Sequence, residues 1–471
     1  MPDATHKIPF SGRIVMIGSG SIGQGVIPLL RQHIDMPADR VQVISANAGG
    51  REVMESHGVG FLEQTLTPGN YQDVLKPQLE AGDFLLNLSV DVSSVALVEL
   101  AQAAGALYLD TCIEPWLGGY TDAKLSPSLR SNYALRETAL KLKGHGKPTA
   151  VLTHGANPGL VSHFAKRALL NIAQDTGFAV ERPKTREDWA ALARDLGIKV
   201  IHVAERDTQV SDRPKEVGEF VNTWSVDGFI GEGCQPAEMG WGTHEKILPE
   251  DGAHHAFGSD AAIYLNRPGA SVRVRTWTPL EGAFHGFLIT HNESISLADF
   301  LTLKDSQGVA AYRPTVHYAY HPCDAAVNSM HELAGKNWVA QERHRLIVDE
   351  VTSGIDELGV LLCGHAKNAY WYGSQLSIEE ARDLAPHNNA TSLQVTAPVL
   401  AGMIWAMENP DRGVVEPEEM DHERVLELAG PYLGPVVGAY GDWTPLEGRE
   451  TLFPEDLDRD DPWQFKNVRV I

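Results

Sequence analysis

Four short segments in the second half of the chain set polar and aromatic residues inside otherwise apolar, turn-bounded runs: Ala204-Glu205-Arg206-Asp207-Thr208, Asn222-Thr223-Trp224-Ser225, Gly231-Glu232-Gly233 and Thr290-His291-Asn292-Glu293-Ser294. They look like strand ends facing a pocket. Carboxylates hold an ammonium through charge-assisted hydrogen bonds, and a tryptophan face adds a cation–π attraction of about 0.5–2 kcal/mol. Glu205, Glu232 and Trp224 together therefore make a candidate cation site. Taken singly, each glutamate also reads as a salt-bridged surface carboxylate and Trp224 as a core residue. His291 follows the apolar Phe287-Leu288-Ile289, and a free pKa of about 6.5 suits a proton shuttle at a strand end. A satisfied core histidine is the competing reading.

These residues need a scaffold, and its clearest mark is Val15-Met16-Ile17-Gly18-Ser19-Gly20-Ser21-Ile22-Gly23. A strand-like run meets glycines at the first, third and sixth places of a dinucleotide fingerprint. Gly18 permits the tight turn, Gly20 lets backbone approach a pyrophosphate, and Gly23 lets the next helix pack close to the sheet. Phosphate would sit at that helix N-terminus, against unpaired N–H groups. Strand-like runs recur at Val41–Ile44, Phe84–Ser89 and Ala106–Asp110, with helical stretches such as Val95–Ala104 between them. That alternation predicts an α/β, Rossmann-type, doubly wound parallel sheet with ligands beyond the strands' carboxyl ends, where Asp91, Thr111 and Glu114 fall.

At 471 residues the chain is too long for one core. It is expected to divide into a nucleotide-binding domain over 1–152, an α+β domain for substrate binding and dimerisation on an open sheet over 153–385, and a C-terminal helix and tail over 386–471 that packs back on the first domain. Gly155-Ala156-Asn157-Pro158-Gly159 turns into a helix at Leu160–Ala173. Lys199–Val203, Phe220–Ser225, Ser271–Trp277 and Gly286–His291 read as strands. Asn388–Glu408 reads as a long helix with a Thr391 cap and Pro398 near its start, stopped by Asn409-Pro410.

A 43% hydrophobic, 21% charged composition is that of a soluble globular protein. A cytoplasmic location is expected from the scattered cysteines Cys112, Cys234, Cys323 and Cys363 and from an N-terminus without signal-peptide character. The net charge of −23, from 62 acidic against 39 basic side chains, argues against nucleic acid or an anionic membrane as partner and would draw in a cationic ligand. His317-Tyr318-Ala319-Tyr320-His321 and His254-His255 invite a metal reading but bring no third ligand at a diagnostic spacing, so no metal is expected. No Gly-x-Ser-x-Gly elbow or P-loop lysine pattern is present, which leaves acyl and phosphoryl transfer without a candidate.

Read in order, Asn87-Leu88-Ser89-Val90-Asp91, Glu114-Pro115-Trp116, Arg130-Ser131-Asn132-Tyr133-Ala134-Leu135-Arg136, His154-Gly155-Ala156-Asn157-Pro158-Gly159, Asn222-Thr223-Trp224-Ser225, His291-Asn292-Glu293-Ser294, Gly364-His365-Ala366-Lys367-Asn368-Ala369-Tyr370-Trp371-Tyr372-Gly373-Ser374 and Asp461-Pro462-Trp463-Gln464-Phe465 resemble the bacterial homospermidine synthases, over essentially the whole chain. The fingerprint and the helix ending at Glu408 resemble the wider saccharopine-dehydrogenase-like group. The resemblance implies a homodimer whose second domain forms a polyamine tunnel and the subunit interface, with NAD as prosthetic group. Two putrescines would give homospermidine and ammonia; spermidine would also donate an aminobutyl group and release diaminopropane. Carried onto matching positions, His291, Asn157, Glu205 and Trp224 would be catalytic, and Asp91, Glu114, Glu232 and Glu293 substrate-binding. Gly18, Gly20, Ser21, Ile22, Gly23, Ser45, Asn87, Ser89, Thr111 and Thr153 would face the cofactor.

Hydride does not readily leave a carbon beside an ammonium, so one amine must first lose its proton. That role is assigned to the neighbourhood of His291 and Asn157, with Glu293 or Asp91 positioning the inner amine. Hydride passed to NAD and returned through imines would leave no net redox change. Glu205, Glu232 and Glu114 would guide cations, and Trp224 would shield the central nitrogen of the product. One departure stands out: Ile44-Ser45-Ala46-Asn47 ends the second strand without the usual ribose-binding carboxylate, so Ser45 or Asn47 would bind the hydroxyls and Arg51 could tolerate a 2′-phosphate. The alternatives are an NAD(P)H-consuming reductive condensation enzyme of the carboxynorspermidine or saccharopine type, expected to carry an arginine cluster for an amino-acid carboxylate, and a non-catalytic nucleotide sensor.

Overall fold

A computed structural model describes residues 7–179 and 181–471. Its first sheet has seven parallel strands. In chain order these are β1 (Ile14–Ile17), β2 (Val41–Ser45), β3 (Gly60–Glu63), β4 (Phe84–Asn87), β5 (Leu107–Asp110) and β6 (Ala150–Val151), with a seventh from the C-terminal region. β1, β4 and β5 are buried at every position, as apolar strands covered on both faces must be. Helix α1 (Ser21–His33) follows β1, α2 (Ser94–Ala104) joins β4 to β5, and α3 (Asn132–Leu140) precedes β6. From β1 the chain order runs outward to β2 and β3 on one side, and on the other through β4, β5 and β6. The switch between β1 and β4 is where a doubly wound sheet opens its ligand crevice.

The second sheet has eleven strands and carries the other half of the site. After α4 (Leu160–Asp175) and α5 (Arg186–Asp195) come β7 (Val200–Asp207), α6 (Val226–Cys234), β8 (Pro236–Gly240), β9 (Gly252–His254), β10 (Ala262–Pro268), β11 (Arg273–Thr278), β12 (Gly282–Phe287), α7 (Asn292–Phe300), β13 (Thr315–His321), β14 (Ile355–His365) and β15 (Asn368–Ser377). β7 lies between β13, parallel to it in the register Glu205↔Tyr320, and β14, antiparallel to it.

Several expectations are corrected. Gly231-Glu232-Gly233 lies inside α6, not at a strand end; the Ser225 hydroxyl caps that helix by accepting from the Gly228 N–H at 3.1 Å, despite three internal glycines. His291 lies beyond the end of β12, at the N-cap position of α7. The long helix, α8 (Ala390–Glu408), is capped by Asn389, whose side chain accepts from Ser392 N–H at 2.7 Å, while Thr391 turns inward and donates to Asp356 at 2.5 Å. Pro398 lies at mid-helix. By length and composition α8 could cross a membrane, but 89% of its apolar window is buried in the fold, packed on α1 and β5.

Residues 386–471 divide between the two sheets. β16 (Val414–Val415) pairs with β6 as the seventh strand of the first sheet, whereas β17 (Val436–Gly441) pairs with β15 and β18 (Arg469–Val470) with β11 in the second. The two layers are tied beside the site by Glu238 of β8. Its buried carboxylate accepts from the Asn132 and Tyr133 N–H groups at the start of α3 (2.8 and 3.2 Å) and from the Thr290 hydroxyl (2.7 Å). A carboxylate at a helix N-terminus also meets the positive end of the helix dipole.

Candidate active site

At the end of β1, Gly18 has φ +98°, and a Cβ there would lie 2.6 Å from the Leu88 carbonyl oxygen; a Cβ on Gly23 would lie 2.5 Å from the Gly18 oxygen. Apart from its chain neighbours, no atom of the described residues lies within 4 Å of a would-be Cβ on Gly20, so its backbone is open to a ligand. No side chain caps α1, which leaves the N–H groups at Ser21 and Ile22 available to a pyrophosphate. Beside them, Ser45 shares a 2.8 Å hydroxyl contact with Ser19. Asn87 takes the Ser89 hydroxyl at 2.6 Å and keeps a buried Nδ2 without a partner. These features fit a dinucleotide. Arg51, expected to tolerate a 2′-phosphate, is engaged by Glu63 at 2.9 Å and Glu55 at 3.8 Å over the Phe61 ring. Glu63, which holds Arg51, stands in register with Ser45 on the neighbouring strand.

From this edge, Ile22, Ser89, Thr111 and Asn157 open into a cavity of about 110 Å³ that ends on Glu205, Trp224 and Tyr318. A second compartment of about 60 Å³ adjoins it, sharing Glu114, Glu232 and His291 and reaching Asp91 and Asp227. Five carboxylates line the pair, with no lysine or arginine among the described lining residues.

Glu205, 3% exposed, anchors the inner end. Its Oε2 accepts from Tyr318 O–H at 2.5 Å and from Asn157 Nδ2–H at 2.7 Å. Burial pushes its pKa up to about 7, the two donors opposing the rise and nearby Asp207 adding to it. Asn157 is held for this contact by the turn in which Gly159, at φ +123°, sits too close to Gly155 for any Cβ. Trp224 is fixed by donating its indole N–H to Tyr320 O–H at 3.0 Å. Tyr320 stacks on Tyr318, centroids 5.1 Å apart.

His291 donates from Nε2 to Glu232 at 3.1 Å and from Nδ1 to Glu293 at 3.2 Å. Burial alone would lower its pKa, but the two carboxylates outweigh that and carry it to about 10. The two carboxylates thus favour the charged form of a ring expected, from its ordinary pKa, to act as a shuttle. Glu293 is fully buried behind it and lines neither compartment, contrary to its expected substrate contact. Thr153 is likewise buried away from the cavity: its N–H donates to Asp110 at 2.6 Å and its hydroxyl accepts from Asn292 at 3.1 Å. Glu114 lines both compartments with its pKa driven well up by burial, and the Asp91 N–H, in a left-handed residue (φ 63°), reaches it at 3.4 Å.

The sequence reading missed Tyr318, Tyr320 and Asp227. The two tyrosines were legible only as part of a histidine-rich string; Asp227, five residues before Glu232 on α6, gave no signal while α6 was unforeseen. Within that string His317 turns to the far face, its ring 4.2 Å from His202, and His255 stacks on Tyr133 at 3.9 Å. Among the described residues no three His, Cys, Asp or Glu side chains are grouped to hold a metal ion.

Residues 14–151 match the family model of the saccharopine dehydrogenase NADP binding domain, and residues 155–442 that of the saccharopine dehydrogenase C-terminal domain. The chain is 56% identical to a homospermidine synthase of Blastochloris viridis, over 99% of this chain and 98% of that one. It is 53% identical to one of Mesorhizobium japonicum, over 98% and 96%. Among solved structures it is similar to the homospermidine synthase of Legionella pneumophila in complex with NAD, with a TM-score of 0.93, 53% identity and 99% of both chains covered.

Proposed function

Because the chain belongs to the homospermidine synthase family, we propose that the two adjoining cavities hold its polyamines and that Glu205 carries the proton transfer. The enzyme joins two putrescines into homospermidine with release of ammonia, or draws the aminobutyl group from spermidine with release of diaminopropane. NAD, held by the Gly18–Gly23 turn and the start of α1, supplies a hydride acceptor and donor within one turnover, so the cycle is redox-neutral. What the protein adds is charge placement and the exclusion of water.

A single observation carries the assignment of Glu205: a buried carboxyl facing the cavity, with a pKa of about 7 and two fixed donors. A group near neutrality both takes and returns a proton. Asn157 cannot titrate; it holds Glu205 in place. His291, ion-paired to Glu232 and Glu293, fixes the carboxylate of Glu232 against which a substrate amine lies. The substrate ammonium releases its proton to Glu205, and hydride can then leave the adjacent carbon. Asp91, Glu114, Asp227 and Glu232 draw in the cations and hold the distal amine, and the net charge of −23 steers them. Trp224 walls the inner end, where the product's central nitrogen would lie. The absence of arginine from the described lining residues argues against an amino-acid carboxylate as substrate. The same proposal takes the enzyme as a cytoplasmic homodimer, for which light scattering at twice the chain mass is the test.

Mass-spectrometric product analysis with putrescine and sub-stoichiometric NAD tests the reading. Many homospermidines per NAD are expected; product capped at the NAD supplied would overturn the redox-neutral cycle.

A further inference from the structure

A third cavity, of about 620 Å³, shares no lining residue with the polyamine compartments. In a chain of net charge −23 its walls carry seven lysines and arginines against five carboxylates. Four of those cations are satisfied: Arg136 by Glu416 and Asp299, Arg186 by Asp299, Lys143 by Glu419 and Arg182 by Glu423. Three have no carboxylate within ion-pair distance among the described residues: Lys166, Lys184 and Arg412. Lys166 is only 6% exposed; its ammonium donates to the Met420 carbonyl at 3.1 Å and sits 5.3 and 5.2 Å from the Trp189 and Phe300 ring centroids. Glu418, Asp421 and Glu419 act on this charge from a distance, but none reaches ion-pair contact, and a desolvated ammonium without a contacting carboxylate is costly. Here it opens on a space large enough to admit one.

The position of this cavity relates it to the active site. Its wall includes Lys166 of α4 and Ser296, Asp299 and Phe300 of α7. The turn before α4 delivers Asn157, and the start of α7 delivers His291 and Glu293. Glu418, 2% exposed, ties the two helices together: its Oε1 accepts from Ser162 of α4 at 2.7 Å and from Ser296 of α7 at 2.8 Å, while its Oε2 has no partner.

We propose that this cavity is an effector site for a small anion bearing carboxylate or phosphate groups, gripped by Lys166, Lys184 and Arg412, whose occupancy reaches the polyamine cavity through α4 and α7. The binding half stands without the functional reading above; the coupling half rests on it.

Calorimetric titration of the NAD-loaded enzyme with citrate and with pyrophosphate, at constant ionic strength against chloride, separates the two sources of acidic oxygens. Saturable binding of at least one anion is expected, weakened about tenfold or more in Lys166→Met. The exposed pair Lys184→Ser/Arg412→Ser guards against a folding defect at the buried lysine. Bound anion should also shift putrescine affinity in the wild type and leave it unmoved in that double variant. No saturable binding of either anion, or binding untouched by all these changes, overturns the site; binding without any shift in putrescine affinity overturns its effector role.

Discussion

Replacing Tyr318 by phenylalanine tests the proton chemistry most directly, because it removes one hydroxyl and little else. The ring keeps its stack on Tyr320 and its contact with His291, whose centroid lies 4.2 Å away. What is lost is the 2.5 Å donation to Glu205. That bond favours the ionised carboxylate and holds the pKa down, so its removal raises the pKa from about 7. A hydrogen bond to a charged group contributes about 1.5–3 kcal/mol, and one pKa unit corresponds to about 1.4 kcal/mol, so the rise is roughly 1–2 units. At neutral pH the ionised fraction of Glu205 falls from about one half to roughly 1–10%, a loss of about 5- to 50-fold in kcat/KM that recovers above roughly pH 9. The assay is the pH profile of kcat/KM for putrescine, with bound NAD quantified in parallel. A variant with lowered activity but an unmoved acid limb would refute the assignment of Glu205 as the base and leave Tyr318 a structural role alone.

Trp224→Ala should lower turnover about 2- to 30-fold, the range spanned by one cation–π contact, with NAD content unchanged; untouched putrescine kinetics would remove Trp224 from the site. Glu63→Gln leaves Arg51 only its 3.8 Å ion pair with Glu55, and competitive nucleotide binding should then show NADP gaining on NAD; an unaltered preference would mean that Glu63 has no part in the choice. His291 has a pKa raised from 6.5 to about 10 on folding, so its contribution to stability is complete below pH 6.5 and is lost as pH rises through about 10. Denaturant melts of wild type and His291→Gln should therefore differ most below about pH 6.5, draw together as pH rises through neutrality and converge above pH 10; a gap that persists there would mean packing, not charge, holds the histidine. Glu232→Gln should lower the His291 pKa and weaken putrescine binding together, readable as an imidazole NMR titration beside KM; a shift in only one would separate the two roles of this carboxylate.

The parts of the site legible in the sequence are those whose cause is local. Gly18 takes a left-handed φ of +98° and Gly23 excludes a Cβ by a contact with the Gly18 oxygen within one turn, so their spacing announces the turn before any tertiary contact is known. The burial of β1, β4 and β5 follows from continuous apolar runs in the same way. Contacts such as Asn157 to Glu205 and His291 to Glu232 span 48 and 59 residues, and residue type could propose the partners but not their roles. Because carboxylates lie against both ring nitrogens, the expected shuttle is held toward its charged form; one strongly attractive group inside the same cavity leaves the neutral-range pKa to Glu205.

Tyr318 shows most clearly why the rest stayed hidden. In His317-Tyr318-Ala319-Tyr320-His321 the string suggests histidine chemistry, yet β13 alternates its faces with period two. Parallel register with β7 sets His317 against His202, whose rings pack at 4.2 Å in the opposite core, and sets Tyr320 beside Glu205. Tyr318 and Tyr320 then share the strand face on Glu205's side, Tyr318 lining the cavity and donating to the carboxyl, Tyr320 behind it receiving the indole N–H of Trp224. A shift of one residue in that register would exchange the faces, bringing the histidines to Glu205 and turning the tyrosines into the opposite core. Which aromatic residue governs the proton is thus a property of strand pairing between β7 and β13, and no feature of either segment alone contains it.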